Sequence, residues 1–458
     1  MKTRYLFVVL AVVAILLSSC GGPAPEPTKP PVVAPTAAPT EAPPPPATEV
    51  PAPPTEAPTL APTEVPTEAP TAVPTAVMKS AADVEATCSA DTYGCAKIEP
   101  GQTIKLGIGG PMTGGYADFG QDISQGEMMG VSDKGRLDTW QFELVVEDTQ
   151  ASAEGGAAVA NKFVTDQTMV AIAGHVFSGE SSAAMPIYEK AGLPMLSPSA
   201  TNPDLTTKGS KVFNRGTFTD NVQANLSSGH LFIKLNIKKL AVLHDGTDYG
   251  KGLATLVSEE FTKLGGEVVA FEAITPKEAD YSAVLSALAA KNPEALYFGG
   301  YSAEAVILIN QMKQTGLENA IFFGNDGTYG ELVLTRTGAN GEGSYSVSLV
   351  PPSSPEVAAF DQAYEARFGK KPGVLSAYTW SAYDVATALI YCVKQVAFKG
   401  DDGNLYVPRG ALVSAVRNLK DYKGIGSTLT CSEVGECNAT GPVLYVIKDG
   451  AYQAVPWE

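Results

Sequence analysis

The sequence has only three histidines, three tryptophans and six cysteines in 458 residues. That is little material for a zinc or haem centre. Basic residues are also short, 32 Lys and Arg against 49 Asp and Glu, for a net charge of −17. Nucleic-acid binding needs clustered cations to neutralise phosphates, so it is excluded as the main activity. No apolar run beyond Leu17 approaches the roughly 20 residues that span a bilayer. The motifs of common enzymes are missing as well. There is no GxxxxGK[ST] or GxGxxG phosphate cradle, no HExxH zinc pair, no CxxC and no GxSxG nucleophile elbow. His175, His230 and His244 are far apart and read as structural. The chain therefore reads as a non-enzyme with no metal and no cofactor.

Proline is present but confined, with 19 of 34 lying between Gly21 and Val77. Residues 1–19 read as a lipoprotein signal peptide. Lys2 and Arg4 precede an apolar run, Tyr5 to Leu17, and LLSSC ends at Cys20 behind small residues. Cleavage would leave Cys20 as the lipidated residue, its acyl chains holding the protein to a membrane surface. Residues 20–78 are Pro, Thr, Ala, Val and Glu without an aromatic residue. Such a stretch cannot bury enough surface to offset chain entropy, and its prolines favour extended polyproline II. It is expected to be a disordered Pro/Thr-rich stalk.

Five cysteines remain. Export favours disulfides, and close spacing suggests Cys88–Cys95 and Cys431–Cys437, although five thiols allow other pairings. Cys392, in ALIYCVKQV, reads as a buried free thiol.

From Thr103 the pattern alternates strand and helix. IKLGIGG, FELVVEDT, MVAIAG and LPMLSP alternate with helical stretches in a first series. KKLAVLHD, GEVVAFEAI, ALYFGG and AIFFGN do so in a second. Apolar strands between helices of 10–15 residues imply parallel sheets covered on both faces, so two such series imply two doubly wound α/β lobes. Ligands of such sheets sit beyond the C-terminal strand ends. Polar and aromatic residues gather there, in GGYADFG, GHVFSGESS, SPSATNPD, HDGTDYG, GGYSAE and GNDGTYG.

The stretch GHVFSGESSAAMPIYEKAGLPMLSPSATNPDLTTKG resembles substrate-binding proteins of branched-chain amino acid ABC transporters. So do VFNRGTFTDNVQA, LAVLHDGTDYGKGLA, ALYFGGYSAEAVILINQMKQTGL and FFGNDG. The resemblance runs from about Ile104 to the C-terminus and weakens after about Gly330. It implies a type I periplasmic-binding-protein fold, two Rossmann-like lobes joined by three crossover strands with ligand in the cleft. The expected bounds are a short Cys-containing lead-in over 79–101, lobe 1 over 102–219 plus 350–440, and lobe 2 over 220–349 plus 441–458.

Carried over position by position, the resemblance implies that Ser178 binds the α-carboxylate of an amino acid. Ser199 and Thr201 would engage carboxylate and ammonium, and Asp326 would face the ammonium. Tyr249 and Tyr301 would close from the second lobe, Phe119 and Tyr378 would line the pocket from the first, and Asp220 would act at the hinge or just behind the ligand contacts. The sequence departs from the family at Asp326, one methylene shorter than the usual Glu, and at Phe177, where some members carry a half-cystine. The Cys88–Cys95 segment and the CSEVGEC insertion are extra. The implied function is an exported, lipid-anchored monomeric receptor that delivers an aliphatic amino acid to an ABC permease. The rival ligands are an amide, a urea-like compound or an aromatic acid, and the rival role is a sensor ectodomain signalling to a partner receptor.

Overall fold

The computed structural model describes residues 75–437 and 441–456. The signal sequence, Cys20 and nearly all of the proline-rich stretch lie outside the described residues.

The described residues open with β1 (Val77–Lys79), α1 (Ala81–Ala90) and β2 (Cys95–Ile98). A first series follows: β3 (Ile104–Gly110), α2 (Ala117–Lys134), β4 (Arg136–Leu137), β5 (Trp140–Asp148), α3 (Ala153–Phe163), β6 (Met169–Ala173), α4 (Ser178–Ala191), β7 (Met195–Ser197), α5 (Asp204–Thr207) and β8 (Phe213–Arg215). The second comprises α6 (Asp220–Gly229), β9 (Lys239–His244), α7 (Asp248–Lys263), β10 (Glu267–Ala273), α8 (Ser282–Ala289), β11 (Ala295–Gly299), α9 (Ser302–Met312), β12 (Ile321–Phe323), α10 (Glu331–Thr337) and β13 (Tyr345–Ser348). The chain returns through α11 (Pro355–Phe368), α12 (Thr379–Val396), β14 (Phe398–Gly400), β15 (Leu405–Pro408), α13 (Arg409–Arg417), β16 (Tyr422–Lys423) and β17 (Thr428–Leu429). It ends in β18 (Val443–Lys448) and β19 (Ala451–Ala454).

Local chemistry sets these boundaries. Ser152 and Thr247 cap α3 and α7 by accepting the N–H groups of Gly155 and Gly250. Ser354 caps α11, with Pro355 in the first turn where its missing N–H costs nothing. Strands β6 and β11 are buried at every residue, which is why they read as continuous apolar runs.

The first series pairs as a six-stranded sheet, β4-β5-β3-β6-β7-β8, and the second as a seven-stranded sheet, β10-β9-β11-β12-β13-β18-β19. Apart from short antiparallel edges, each has the parallel order 2-1-3-4-5, whose ligand crevice lies where the order reverses. In the first lobe that is between β3 and β6, in the second between β9 and β11. The chain passes between the sheets after β8, after β13 and before β18. Helix α12 packs on α2 and against β6 and β7, so it belongs to the first lobe.

The opening segment differs from the expected stalk and lead-in. Val77 and Met78, read as the end of the linker, lie in β1, which pairs in parallel with β14, Val77 opposite Phe398. The hairpin of β14 and β15 would otherwise leave an edge unpaired, and VMK supplies a strand for it. Residues 79–101, expected as a short Cys-containing lead-in, continue into the same sheet. Strand β2 pairs with β15, and Ala96 and Ile98 join the core that contains Leu106 and Leu389. The Asp91 carboxylate accepts the N–H groups of Gly410 and Ala411 at the start of α13. Disulfides join Cys88 to Cys95 and Cys431 to Cys437, and Cys392 is a buried free thiol.

Candidate functional site

Seven of the eight candidate ligand residues line one cavity at the C-terminal strand ends. Phe119, Ser178, Ser199, Tyr249, Tyr301, Asp326 and Tyr378 share it with Val176, Phe177 and Gly327. The two lobes are closed on one another there, and the cavity between them is ≈ 10 Å³, the space of about one water centre. Polar contacts fasten the closure. The Tyr116 hydroxyl donates to Glu304 at 2.6 Å, and the Asn202 amide donates to the Asp248 carbonyl at 2.6 Å.

Ser178 opens α4 at the end of the loop after β6, where first-turn N–H groups lack intrahelical acceptors and the helix dipole favours an anion. Its hydroxyl accepts the Asn202 N–H at 3.3 Å. Glu180, one turn on, reaches back to the Phe177 N–H at 3.1 Å, the acidic half of a capping box. It also accepts the Thr149 hydroxyl, and burial pushes its carboxyl up to about 8. Ser199 donates its hydroxyl to the Val176 carbonyl at 2.7 Å and its N–H to Ser197 Oγ at 3.3 Å, leaving the hydroxyl lone pairs and the backbone carbonyl to accept from a ligand. Thr201, the eighth candidate, does not line the cavity; it is fully buried, and its hydroxyl makes no hydrogen bond of good geometry.

On the second lobe Asp326 heads a tight turn after β12. Its carboxylate accepts Tyr249 Oη at 2.5 Å and Gln223 Nε2 at 2.6 Å on one oxygen, and Tyr378 Oη at 2.5 Å on the other. The Asp326 N–H donates to Gln223 Oε1 at 2.9 Å, so that side chain clamps both ends of the residue. Burial pushes the Asp326 carboxyl up, and the three donors pull it back. Asp220 lies at the first crossing between lobes, its N–H donating to the Thr201 carbonyl at 3.0 Å. Neither of its oxygens has a hydrogen bond of good geometry. Burial first, and the nearby Asp326 second, push it up to about 8 against the pull of Thr201, Arg215 and Gln223.

Aromatic rings fill the rest. Phe177 stacks on Tyr301 at 4.2 Å between centroids, with Phe119 and Tyr116 edge-on to both. Tyr301 in turn lies 5.1 Å from Tyr249. Such pairs contribute about 0.5–1.5 kcal/mol each beyond burial. The histidines serve elsewhere. His175 Nε2 lies 2.8 Å from Tyr188 Oη and burial holds the ring neutral, down to about 3, while His244 Nδ1 accepts the Gly246 N–H.

Sequence reasoning missed Gln223, Glu180 and the position of Phe177 in the ring stack. Gln223 could have been found from its spacing, since it lies three residues after Asp220 on one face of α6.

The chain matches the periplasmic binding protein family over residues 103–449. It is 32% identical over 289 residues to the leucine-, isoleucine-, valine-, threonine- and alanine-binding protein of Pseudomonas aeruginosa, covering 62% of this chain and 76% of that one. It is 30% identical over 291 residues to the Leu/Ile/Val-binding protein of Escherichia coli, covering 63% and 78%. Among solved structures, the branched-chain amino acid transporter substrate-binding protein of Streptococcus pneumoniae in complex with isoleucine superposes with a TM-score of 0.68 at 27% identity, over 77% of this chain and 99% of that one. Two lobes of matching strand order closing on aromatic and polar side chains, together with a family match over most of its length, show that this chain belongs to the periplasmic binding protein family, type I fold.

Proposed function

We propose that the protein is a solute receptor that captures an aliphatic amino acid of the branched-chain type in the interlobe cleft and presents it to an ABC permease. One observation carries the reading. Ser178 at a helix N-terminus and the buried Thr201 hydroxyl stand on one lobe, and a carboxylate ringed by donors, Asp326, stands on the other. A zwitterion needs those two ends, and charge-assisted hydrogen bonds are strongest where water is excluded. Ser199 would contribute its backbone. Tyr249, Tyr301, Phe119 and Tyr378 would cover the apolar side chain, and Asp220 would link the hinge to Thr201. The relatives named for leucine, isoleucine and valine support this ligand class.

The two lobes are taken as 102–219 plus 350–440 and 220–349 plus 441–458, with 75–101 joined to the first. The rest of the reading is export, lipid anchoring through Cys20 and a monomeric state. The N-terminal sequence supports the first two, and among the described residues no helix is long and apolar enough to cross a membrane. Family membership supports a binding role in place of catalysis.

Calorimetric titration of the full chain with leucine, isoleucine, valine, benzoate and acetamide tests the ligand class. At least one branched-chain amino acid should bind at about 10 μM or tighter, roughly −7 kcal/mol, with no heat from benzoate or acetamide. Binding of benzoate or acetamide in place of the amino acids would overturn the reading.

A further inference from the structure

The CSEVGEC insertion has no counterpart role in the ligand reading, yet it reaches the ligand loop in two steps. Arg215, the last residue of β8, has a fully buried side chain. Its Nη1 donates to the carbonyls of Ala200 at 3.0 Å and Asn202 at 2.8 Å, the two residues that flank Thr201. The other side of the guanidinium is held by Glu436, with Nε at 2.8 Å from one carboxylate oxygen and Nη2 at 2.7 Å from the other. Nη2 also donates to the Thr206 hydroxyl at 2.9 Å, which donates to Glu436 at 2.6 Å. All five guanidinium N–H groups are thereby used.

Glu436 is supplied by the loop closed by Cys431–Cys437. That loop is laid on β8 through the Arg215 N–H to Gly435 carbonyl bond at 2.9 Å and the Cys437 N–H to Arg215 carbonyl bond at 3.1 Å. Arg417 of α13 ties it from outside, donating to the Glu433 carbonyl and to Asn214 Oδ1, both at 2.7 Å. A buried guanidinium stripped of its carboxylate keeps its desolvation penalty and loses its partner, so it must shift or admit water. Either response releases the Ala200 and Asn202 carbonyls.

We propose that Glu436 is a positioning residue for the carboxylate end of the ligand site: the disulfide loop holds Glu436, Glu436 holds Arg215, and Arg215 holds the backbone on both sides of Thr201. The proposal rests on the ligand reading of Ser199 and Thr201. It makes the Cys431–Cys437 loop, which does not line the cavity, a determinant of affinity.

The test compares full-length wild type, Glu436→Gln, Thr201→Val and the double variant. Hydrogen exchange of the ligand-free proteins should show faster exchange over residues 199–202 in Glu436→Gln, with α9 unchanged. Calorimetry with L-leucine should show Glu436→Gln binding about tenfold more weakly, as loss of an outer-shell partner does at other sites. In the Thr201→Val background the same change should cost less than about threefold further, because the two act as one unit. Unchanged exchange over 199–202, or fully additive losses, would overturn the proposal. If Glu436→Gln does not fold, the Cys431→Ser/Cys437→Ser pair, which keeps the carboxylate but opens its loop, carries the same comparison. Should L-leucine fail to bind wild type, the ligand reading falls, and the exchange data still decide whether Glu436 positions the loop.

Discussion

Asp220 and Asp326 are two carboxyls in one cleft with opposite surroundings. Asp326 takes three donors and Asp220 has no good hydrogen bond. Donors favour the anion and burial disfavours it: Asp326 is pushed up by burial but pulled back by its donors, while burial and the nearby Asp326 push Asp220 up to about 8. Thr201 sits beside this pair, its buried hydroxyl close enough to Asp220 to pull that carboxyl down but making no hydrogen bond of good geometry. Thr201→Val should therefore weaken a branched-chain amino acid by about tenfold or more, since a hydrogen bond to a charged group contributes about 1.5–3 kcal/mol. The melting temperature of the ligand-free protein should fall little, because the hydroxyl gives up no hydrogen bond of good geometry, and paired titration and melting experiments check both. The Ser178 and Asp326 loops were legible because short motifs at strand ends carry them. The contacts that orient them were not. Gln223 lies 103 residues from Asp326 and Glu436 lies 221 from Arg215, distances over which a sequence shows no pairing.

At the scale of elements, the first lobe depends on close packing of α2 on α12. A Cβ on Gly126 would meet the Thr379 carbonyl and come within 2.9 Å of Ala382 Cβ, so the two backbones approach too nearly for a side chain there. Gly126→Ala should destabilise the protein by about 1–3 kcal/mol, the usual cost of overpacking, against a helix-propensity gain of under about 1 kcal/mol. Denaturant unfolding measures this, and a stability equal to or above wild type would contradict the close-approach account. The parallel strands were legible because burial on both faces demands apolar runs such as MVAIA and ALYFG. Strand β1 was not, because VMK follows a proline-rich stretch and its partner Phe398 lies far along the chain.

For the molecule as a whole, burial of acids sets the response to pH. Burial raises Asp220 and Glu180 to about 8, Asp384 to about 7, and Asp122 and Asp245 to about 6. Unfolded, each would titrate near 4. The folded protein therefore holds more protons than the unfolded chain between about pH 4 and 8, and stability falls as pH rises through that window. Melting temperature should decline from pH 5 to 8.5, and Asp220→Asn should flatten the decline. A rise over that range would contradict the assignment of these acids as buried and protonated.

The zwitterion reading turns on Asp326, and calorimetry of wild type and Asp326→Asn with L-leucine and its 2-oxo acid tests it most directly. Wild type should bind the amino acid and bind the oxo acid poorly. Asp326→Asn keeps the shape and loses the charge, so it should weaken leucine by about 30-fold or more, the loss typical of breaking a buried charge pair, and should not weaken the oxo acid. Leucine affinity within about threefold of wild type, or an oxo acid bound as tightly as leucine by the wild type, would contradict it.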